Sequence, residues 1–278
     1  MKKLFLLLAF VAVSFCACDE KNNPESDSSI TGDGVLSGEF SVSATTKVHF
    51  AQGNLQYVGT WQFATNQWDY FGNNQYENHR DLFGWGTGNN PNNVSAEYND
   101  YATYTEWGNN PITNGGNKAN MWRTLTKDEW VYLFHGRTNA AIKFGIGNID
   151  GVNGAILLPD NWTLPSGASF NAGTTKGLVW TDDEHYFDSK GGHFGDNTYT
   201  AAQWKTMEDN GAVFLPAAGY RFGTDVGVGY VGSIGYYWSS TPNHEYDAGS
   251  LDFDSHNLGP QDDGRGIGLS VRLVQDVK

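Results

Sequence analysis

The sequence GYYWSSTPNHEYDAGSLDFDSHNLGPQDDGRGIGLSVRLV, residues 235–274, contains the clearest structural pattern of the chain. Apolar and polar residues alternate in its centre. Leu251 and Phe253 share one face of an extended segment, and Asp252 and Asp254 share the other. A period of two is typical of a strand that is buried on one face only. The segment therefore predicts a half-buried strand with a polar outer face.

Polar and aromatic side chains crowd the loops around that strand. Loop residues that a rigid strand framework holds in place commonly form recognition surfaces. If the strand continues to His256, this residue could form a carboxylate–histidine site with Asp252 and Asp254. We predict that this C-terminal face binds a ligand. The predicted ligand-binding residues are Asn243, His244, Tyr246, Asp247, Asp252, Asp254, His256, Asn257, Gln261, Asp262 and Arg265.

The beginning of the sequence has the composition of an export signal. Lys2 and Lys3 form a charged region, and residues 4–13 form an apolar run. That run has the length of a signal-peptide core and is too short to span a membrane comfortably. We therefore predict a signal peptide over residues 1–17.

Cys18 is the predicted lipidation site. The small residue Ala17 precedes it, as cleavage of a bacterial lipoprotein signal requires. Asp19 and Glu20 follow directly and resemble the acidic export tag of surface lipoproteins in Bacteroidetes. The alternative is a secreted protein that is cut nearby and carries no lipid. The prediction is an exported outer-membrane lipoprotein, exposed at the cell surface, which contacts the membrane only through its lipid.

The chain divides into a tether and one folded domain. Residues 18–34 are polar and contain little apolar surface to bury, so they are predicted to be a flexible tether. Residues 35–278 are long enough for one sizeable domain. Both cysteines, Cys16 and Cys18, precede it, so the domain has no disulfide, no thiolate nucleophile and no cysteine-ligated metal.

The charge of the chain restricts its partners. The formal net charge is −14, and removal of Lys2 and Lys3 with the signal lowers it to −16. This balance argues against nucleic acid and against anionic membrane surfaces as partners. A surface protein with a basic patch, or a neutral glycan, is the predicted ligand.

Two helices are predicted, over residues 126–134 and 200–210. Each begins with a capping box, in which a Thr and a Glu or Gln three residues later cap each other's backbone. Gly136 and Gly211 are positioned to end them. Short strand-like segments and long loops make up the rest. This order predicts an α+β domain, with two main helices packed on a twisted, mostly antiparallel sheet.

Some residues are assigned to the framework of the domain. Tyr236, Tyr237 and Trp238 are predicted to be core more than a platform for sugars, because alternate strand residues face inward. Arg123 and Arg272 lie beside apolar residues in strand-like segments. A guanidinium group can satisfy several backbone carbonyls at once, so both arginines are predicted to be structural.

Four motifs resemble a known family. Residues 122–132, WRTLTKDEWVY, resemble the helix entry of the C-type lectin-like domain of formylglycine-generating enzymes and sulfatase-modifying factors. Residues 214–221, 237–240 and 270–274 resemble later landmarks of its Bacteroidetes branch. Variable proteins diversified by retroelements belong to the same group. The resemblance covers roughly residues 35–274 and implies a C-type lectin-like domain whose C-terminal part displays a binding surface.

The resemblance does not extend to the family's chemistry. Formylglycine-generating enzymes use a cysteine pair to bind copper, and the predicted domain has no cysteine. The calcium-binding tripeptide of sugar-binding C-type lectins is also missing, since residues 260–263 do not match it. We therefore predict a protein that is not an enzyme and has no cofactor. Calcium binding stays open.

One other acidic cluster is a candidate for chemistry. Residues 181–185, together with Asp188 and His193, could ligate a metal ion, but their spacing matches no known loop and favours a solvated acidic loop. The alternatives to a binding module are a structural subunit of a surface assembly and a hydrolase that uses acidic residues.

Overall fold

The structure is a computed structural model and describes residues 31–172, 179–180, 185–186, 193–224 and 227–278. The predicted signal peptide, the lipidation site Cys18 and most of the predicted tether lie outside the described residues. Most of the acidic cluster at residues 181–185, Asp188 and His193 also lies outside the described residues. Thr31 and Gly34 already hydrogen-bond to Val35 and Gln52, so folded structure includes the last residues of the predicted tether.

Short strands make up most of the regular structure. The strands are β1 (Phe40–Ser41), β2 (Lys47–Phe50), β3 (Leu55–Tyr57), β4 (Trp61–Phe63), β5 (Arg123–Thr124), β6 (Phe144–Ile149), β7 (Val152–Leu157), β8 (Val179–Trp180), β9 (His185–Tyr186), β10 (Thr198–Tyr199), β11 (Val213–Pro216), β12 (Tyr220–Arg221), β13 (Val228–Gly229), β14 (Gly235–Asn243), β15 (Asp247–Phe253), β16 (Leu258–Gly264) and β17 (Leu273–Asp276). The α-helices among the described residues are α1 (Lys127–Val131) and α2 (Ala201–Asp209).

The strands form several small sheets. One has the order β1-β2-β17-β5 and is antiparallel throughout. A second has the order β10-β6-β7-β11, in which β10 runs parallel to β6. A third is the antiparallel meander β14-β15-β16. The pairs β3–β4, β8–β9 and β12–β13 complete the set.

The helices begin where the capping signals predict. The side chains of Thr126 and Glu129 cap each other's backbone at α1, and those of Thr200 and Gln203 do so at α2. However, α1 has only five residues before it continues as a π-helical turn, Tyr132–Gly136. Within the described part of the chain, no helix has the length and apolar character that a membrane crossing requires.

The predicted α+β lectin-like fold, with two main helices packed on one sheet, is wrong. Strand accounts for 34% of the chain and helix for 14%, so the protein is mostly β. The two α-helices are five and nine residues long, and several small sheets take the place of one continuous sheet. Capping boxes and short apolar segments mark where elements lie in the chain but do not indicate how the strands divide among sheets.

Aromatic side chains fill the space between the small sheets. One cluster packs Tyr237, Leu251 and Phe253 of the meander against Phe50 and Trp130. A second surrounds the tryptophans of the loop region, and a third surrounds α2. Large rings bury much apolar area per residue, which suits a chain with short strands and no disulfide among its described residues. Three joined clusters therefore hold the described part together.

Buried Arg272 connects β17 to distant segments, which confirms its predicted structural role. Its guanidinium donates to the side-chain oxygen of Asn54 at 3.0 Å and to the carbonyls of Ala51 at 3.1 Å and Phe214 at 2.8 Å. Arg123 is also structural: it forms an ion pair with Glu129 at 2.7 Å at the start of α1. Both arginines thus join segments far apart in sequence.

Candidate ligand-binding surface

The meander separates its residues into two faces. Strand alternation places Tyr237, Leu251 and Phe253 on the inner face, where all three are buried in the first cluster. Asp252 lies opposite Tyr236 on the other face, and both are half-buried. The alternation read from residues 250–255 is therefore confirmed as far as the end of β15.

Two carboxyl groups meet on that outer face. Ser250 Oγ donates to Asp252 Oδ1 at 3.0 Å, and strand alternation places Asp263 of β16 on the same face, with its buried Oδ2 lacking a hydrogen-bond partner. Burial raises the pKa of Asp252 well above its usual range, and the charge of Asp263 raises it further. Burial also raises the pKa of Asp263. Because the two groups are buried near each other, ionisation of one disfavours ionisation of the other.

Three tyrosines surround this carboxyl pair. The ring of Tyr220 packs edge-on against Tyr236, with centroids 5.5 Å apart, and lies 5.8 Å from the ring of Tyr230. Burial raises the pKa of Tyr236, and the nearby Asp252 and Asp263 raise it too, so its hydroxyl stays a donor. We call Tyr220, Tyr230, Tyr236, Asp252 and Asp263 the acidic–aromatic surface.

Tyr230 adopts a backbone conformation that places its ring in solvent. Its φ is 57°, in the left-handed region, and its side chain is 58% exposed. A bulky residue with positive φ is uncommon and requires support from its surroundings. The carbonyl of Tyr230 supplies it by accepting the backbone N–H groups of Ser233 and Ile234. Observed strain of this kind often marks a functional position.

A small groove lies beside the acidic–aromatic surface. Its volume is about 210 Å³, and Tyr98, Phe222, Tyr246 and Ile267 line it. The rings of Tyr98 and Tyr246 pack edge-on with centroids 4.2 Å apart, and Phe222 is 61% exposed. Asp247 lines the groove and also raises the pKa of Asp263, so the two features adjoin. We call this cavity the aromatic groove.

The structure places four predicted residues at the turn between β14 and β15. Asn243 ends β14 and pairs with Asp247, and His244 has a left-handed φ of 47°. Tyr246 and Asp247 line the aromatic groove directly. This part of the predicted site therefore adjoins the acidic–aromatic surface.

The residues after β15 lie in a turn of their own. β15 ends at Phe253, and Asp254 Oδ1 accepts the backbone N–H groups of His256 at 2.6 Å and Asn257 at 2.8 Å. The strand does not continue to His256, so the alternation that would align it with Asp252 stops. The alternative carboxylate–histidine site of Asp252, Asp254 and His256 does not form, because the Asp254 carboxylate closes the turn instead.

Three further predicted residues lie in different environments. Asp262 pairs with Lys127 at 2.7 Å on the inner-face side of β16. Arg265 is buried; it lies 4.5 Å above the ring of Trp85 and donates to the carbonyls of His244 and Asp247. Arg265 thus shapes the floor of the groove. Gln261 is half-buried opposite Ser250, beside the carboxyl pair.

Sequence reasoning missed part of this surface. Asp263 lies on the same face of β16 as Gln261, a position that the alternation within residues 258–264 could have indicated. Tyr230 is a single aromatic residue among glycines, a setting with few neighbours to bury it. Tyr236 was predicted to be core, but it is only half-buried. Tyr98 and Phe222 carry no local signal, because only the tertiary fold brings them to Tyr246.

The described residues include no group of three or more His, Cys, Asp or Glu side chains that could hold a metal ion. The carboxyl pair supplies two such groups. What the surface offers chemically is aromatic faces, hydroxyl donors and two carboxyl groups. These groups suit hydrogen bonding and ring stacking with a ligand.

Asp263→Asn should stabilise the protein at alkaline pH. Because both pKa values are raised in the folded state, the stability that the pair contributes is full at low pH and is lost as the pH rises through these values. The amide would donate to Asp252 at every pH and remove the repulsion, a gain of about 1 kcal/mol at pH 8. Urea unfolding between pH 4 and pH 9 would measure it.

Asp262→Asn is the matched control for that experiment. Asp262 is the neighbouring residue, faces away from the pair and forms an ion pair with Lys127. Its replacement should lower stability by less than about 1 kcal/mol. If the Asp263→Asn protein were less stable than the unchanged protein at pH 8, the carboxyl groups of Asp252 and Asp263 would not repel each other there.

Comparison with known proteins adds one partial match. A family model described as a domain of unknown function (DUF8237) matches residues 197–274. That segment contains α2, the meander and every residue of the acidic–aromatic surface. No curated protein matches the chain, and no solved structure matches it either. The resemblance to formylglycine-generating enzymes and sulfatase-modifying factors stays a prediction.

Proposed function

We propose that the protein is an exported surface lipoprotein whose folded part binds a ligand without catalysing a reaction. The binding region is the acidic–aromatic surface together with the aromatic groove. The observation that carries this proposal is the cluster of exposed rings, Phe222, Tyr230 and Tyr246, beside a carboxyl pair. Exposed aromatic residues on a rigid framework are a recurring feature of binding sites.

A neutral glycan is the favoured ligand. Sugar rings stack on tyrosine faces, and their hydroxyls can donate to the carboxyl groups and both donate to and accept from the tyrosine hydroxyls. The groove volume of about 210 Å³ is below the usual size of sites for drug-sized ligands and suits a single ring. The acidic charge of the chain disfavours polyanions.

Ring removal from the surface should weaken binding strongly. We expect Tyr230→Ala and Tyr246→Ala each to lower affinity for the bound ligand at least about tenfold, the effect of a central aromatic contact. Neutral glycans, acidic glycans and surface proteins with basic segments, arrayed in parallel, would identify the ligand. Titration of the ligand found there against each variant would measure the loss.

Tyr76→Ala is the matched control, because Tyr76 is 51% exposed but stacks on His79 in a different segment. It should leave affinity unchanged. If Tyr230→Ala, Tyr246→Ala and Tyr76→Ala proteins bound the ligand equally well, the binding site would not lie on this surface. If only basic proteins bound, the ligand would be a protein and not a glycan. If EDTA abolished binding, a metal ion would be required for it. Stable co-purification with an envelope partner, unchanged by these variants, would favour the structural-subunit alternative.

A hydrolase is the second candidate, and the raised pKa values of the carboxyl pair are the observation that favours it. A carboxyl group that keeps its proton near neutral pH can act as a general acid. Turnover of a sugar substrate that disappears in Asp263→Asn would establish this activity, and inactivity across a broad panel would reject it.

A further inference from the structure

The buried arginines of the described chain fall into two kinds. Arg272 and Arg137 donate to backbone carbonyls or side-chain oxygens from all three nitrogens of the guanidinium group. Arg80 and Arg221 are 5% and 1% exposed, and each has a buried nitrogen without any acceptor. Buried charged donors are normally paired, because an unpaired one loses its hydration without compensation.

The unpaired nitrogens are Arg80 Nε and Arg221 Nη2. The other nitrogens of Arg221 have protein acceptors: Nη1 donates to the carbonyl of Gly223, and Nε points to that of Leu82 at 3.5 Å. The Arg221 side chain also has little freedom to move away. A methyl group placed on Gly268 would lie 2.7 Å from Arg221 Nε, which shows how closely the backbone holds it.

The two guanidinium groups lie close enough to repel each other. Burial lowers the pKa of Arg221 to about 10, and the charge of Arg80 lowers it further. Burial likewise lowers the pKa of Arg80. The Tyr101 hydroxyl is close to both arginines and interacts with the Arg221 side chain, but Arg221 Nη2 still has no acceptor in hydrogen-bonding geometry. Two cations thus share one buried neighbourhood.

The neighbouring groups do not balance this charge. Burial raises the pKa of Tyr101, so its hydroxyl is neutral, and it donates to the carbonyl of Ser95. Asp81 is near Arg80, but burial raises its pKa to about 6. Its two oxygens already accept the backbone N–H of Phe71 and the amide of Gln75. At most one carboxylate therefore faces two guanidinium groups.

We propose that Arg80 and Arg221 bind a small monovalent anion, with Arg80 Nε and Arg221 Nη2 as donors. Chloride is the representative of this class, since it is compact and accepts charge-assisted hydrogen bonds. Arg221 lies between Tyr220 of the acidic–aromatic surface and Phe222 of the aromatic groove. An anion that fixes Arg221 would also fix the backbone that carries both rings. This inference does not depend on the proposed function.

Chloride should stabilise the protein in a way that other salts do not. Thermal unfolding in sodium chloride, compared with sodium gluconate at equal ionic strength, should give a midpoint about 3 °C higher in chloride. Gluconate is too large for a buried site and controls for general salt effects. Arg221→Met keeps an unbranched side chain without the charge and should remove the chloride dependence.

Arg123→Met is the control variant, because Arg123 is partly exposed and already has carboxylate partners. It should keep the full chloride dependence. If Arg221→Met fails to fold, chloride-35 NMR on the unchanged protein gives the result: excess line broadening that bromide competes away supports the site. Anomalous scattering from bromide-soaked crystals should then place the ion between Arg80 and Arg221. Equal midpoints in both salts without broadening, or bromide bound only elsewhere, would overturn the proposal.

Discussion

Arg272→Met should lower the free energy of unfolding by about 4 kcal/mol, because removal of one partner from a buried charge network is strongly destabilising. The guanidinium is buried and reaches oxygens of Asn54, Ala51 and Phe214. Methionine can fill part of the volume but cannot donate, so these acceptors would lose their donors without access to water. Urea unfolding followed by tryptophan fluorescence would measure the loss.

The comparison variant for Arg272→Met is Arg123→Met. Arg123 pairs with Glu129 at 2.7 Å and with Asp276 at 2.7 Å, but it is partly exposed. Loss of a partly solvated ion pair should lower stability by only about 1 kcal/mol. If the two variants were equally stable, the buried bonds of Arg272 would contribute no more than a surface ion pair, and its assignment as a central connection would be wrong.

Trp238→Ala should also lower the free energy of unfolding by about 4 kcal/mol, the usual loss for a fully buried tryptophan. Trp238 lies in β14 with no exposed surface, and its Nε1 donates to the carbonyl of Phe83 at 2.6 Å. Alanine would leave a cavity and remove one of the two donors to the Phe83 carbonyl, which also accepts the backbone N–H of Leu269. Ligand affinity should fall as well, since Tyr236 would lose its neighbour in the strand.

Trp238→Phe and Tyr236→Phe separate the causes of that loss. Trp238→Phe keeps most of the apolar volume. It should lower the free energy of unfolding by about 2 kcal/mol, because the hydrogen bond is lost and a small cavity forms. Tyr236 is half-buried, so removal of its hydroxyl should change stability by less than about 1 kcal/mol. A Trp238→Ala protein as stable as the Tyr236→Phe protein would show that the outer face of the meander is not packed.

Local patterns predicted local structure well. Alternation at Leu251, Asp252 and Phe253 identified β15 and its buried face, and the capping boxes located the first residues of both α-helices. They did not predict how the pieces associate, because the small sheets are joined by long-range contacts that have no period along the chain. The main error was the architecture: the predicted α+β domain with one sheet is a mostly β protein with several small sheets, and the prediction rested on segment order and motif resemblance.

The candidate site shows the same limit. Tyr246 and Asp247 line a groove, but their neighbours Tyr98 and Phe222 come from distant segments. Arg265 looked like a contact residue, and the fold uses it to hold the turn after β14. Whether a polar residue faces a ligand or a backbone carbonyl depends on burial, which a single sequence does not give for loops.

The position of β17 has a consequence for how the protein forms. β17 lies in the interior of its sheet, between β2 and β5, so strands from opposite ends of the folded region meet there. Contacts between such distant segments form slowly, because a long loop must close first. Until residues 273–276 are available, β2 and β5 have no strand to join them. This sheet therefore completes its pairing only after β17 has been synthesised.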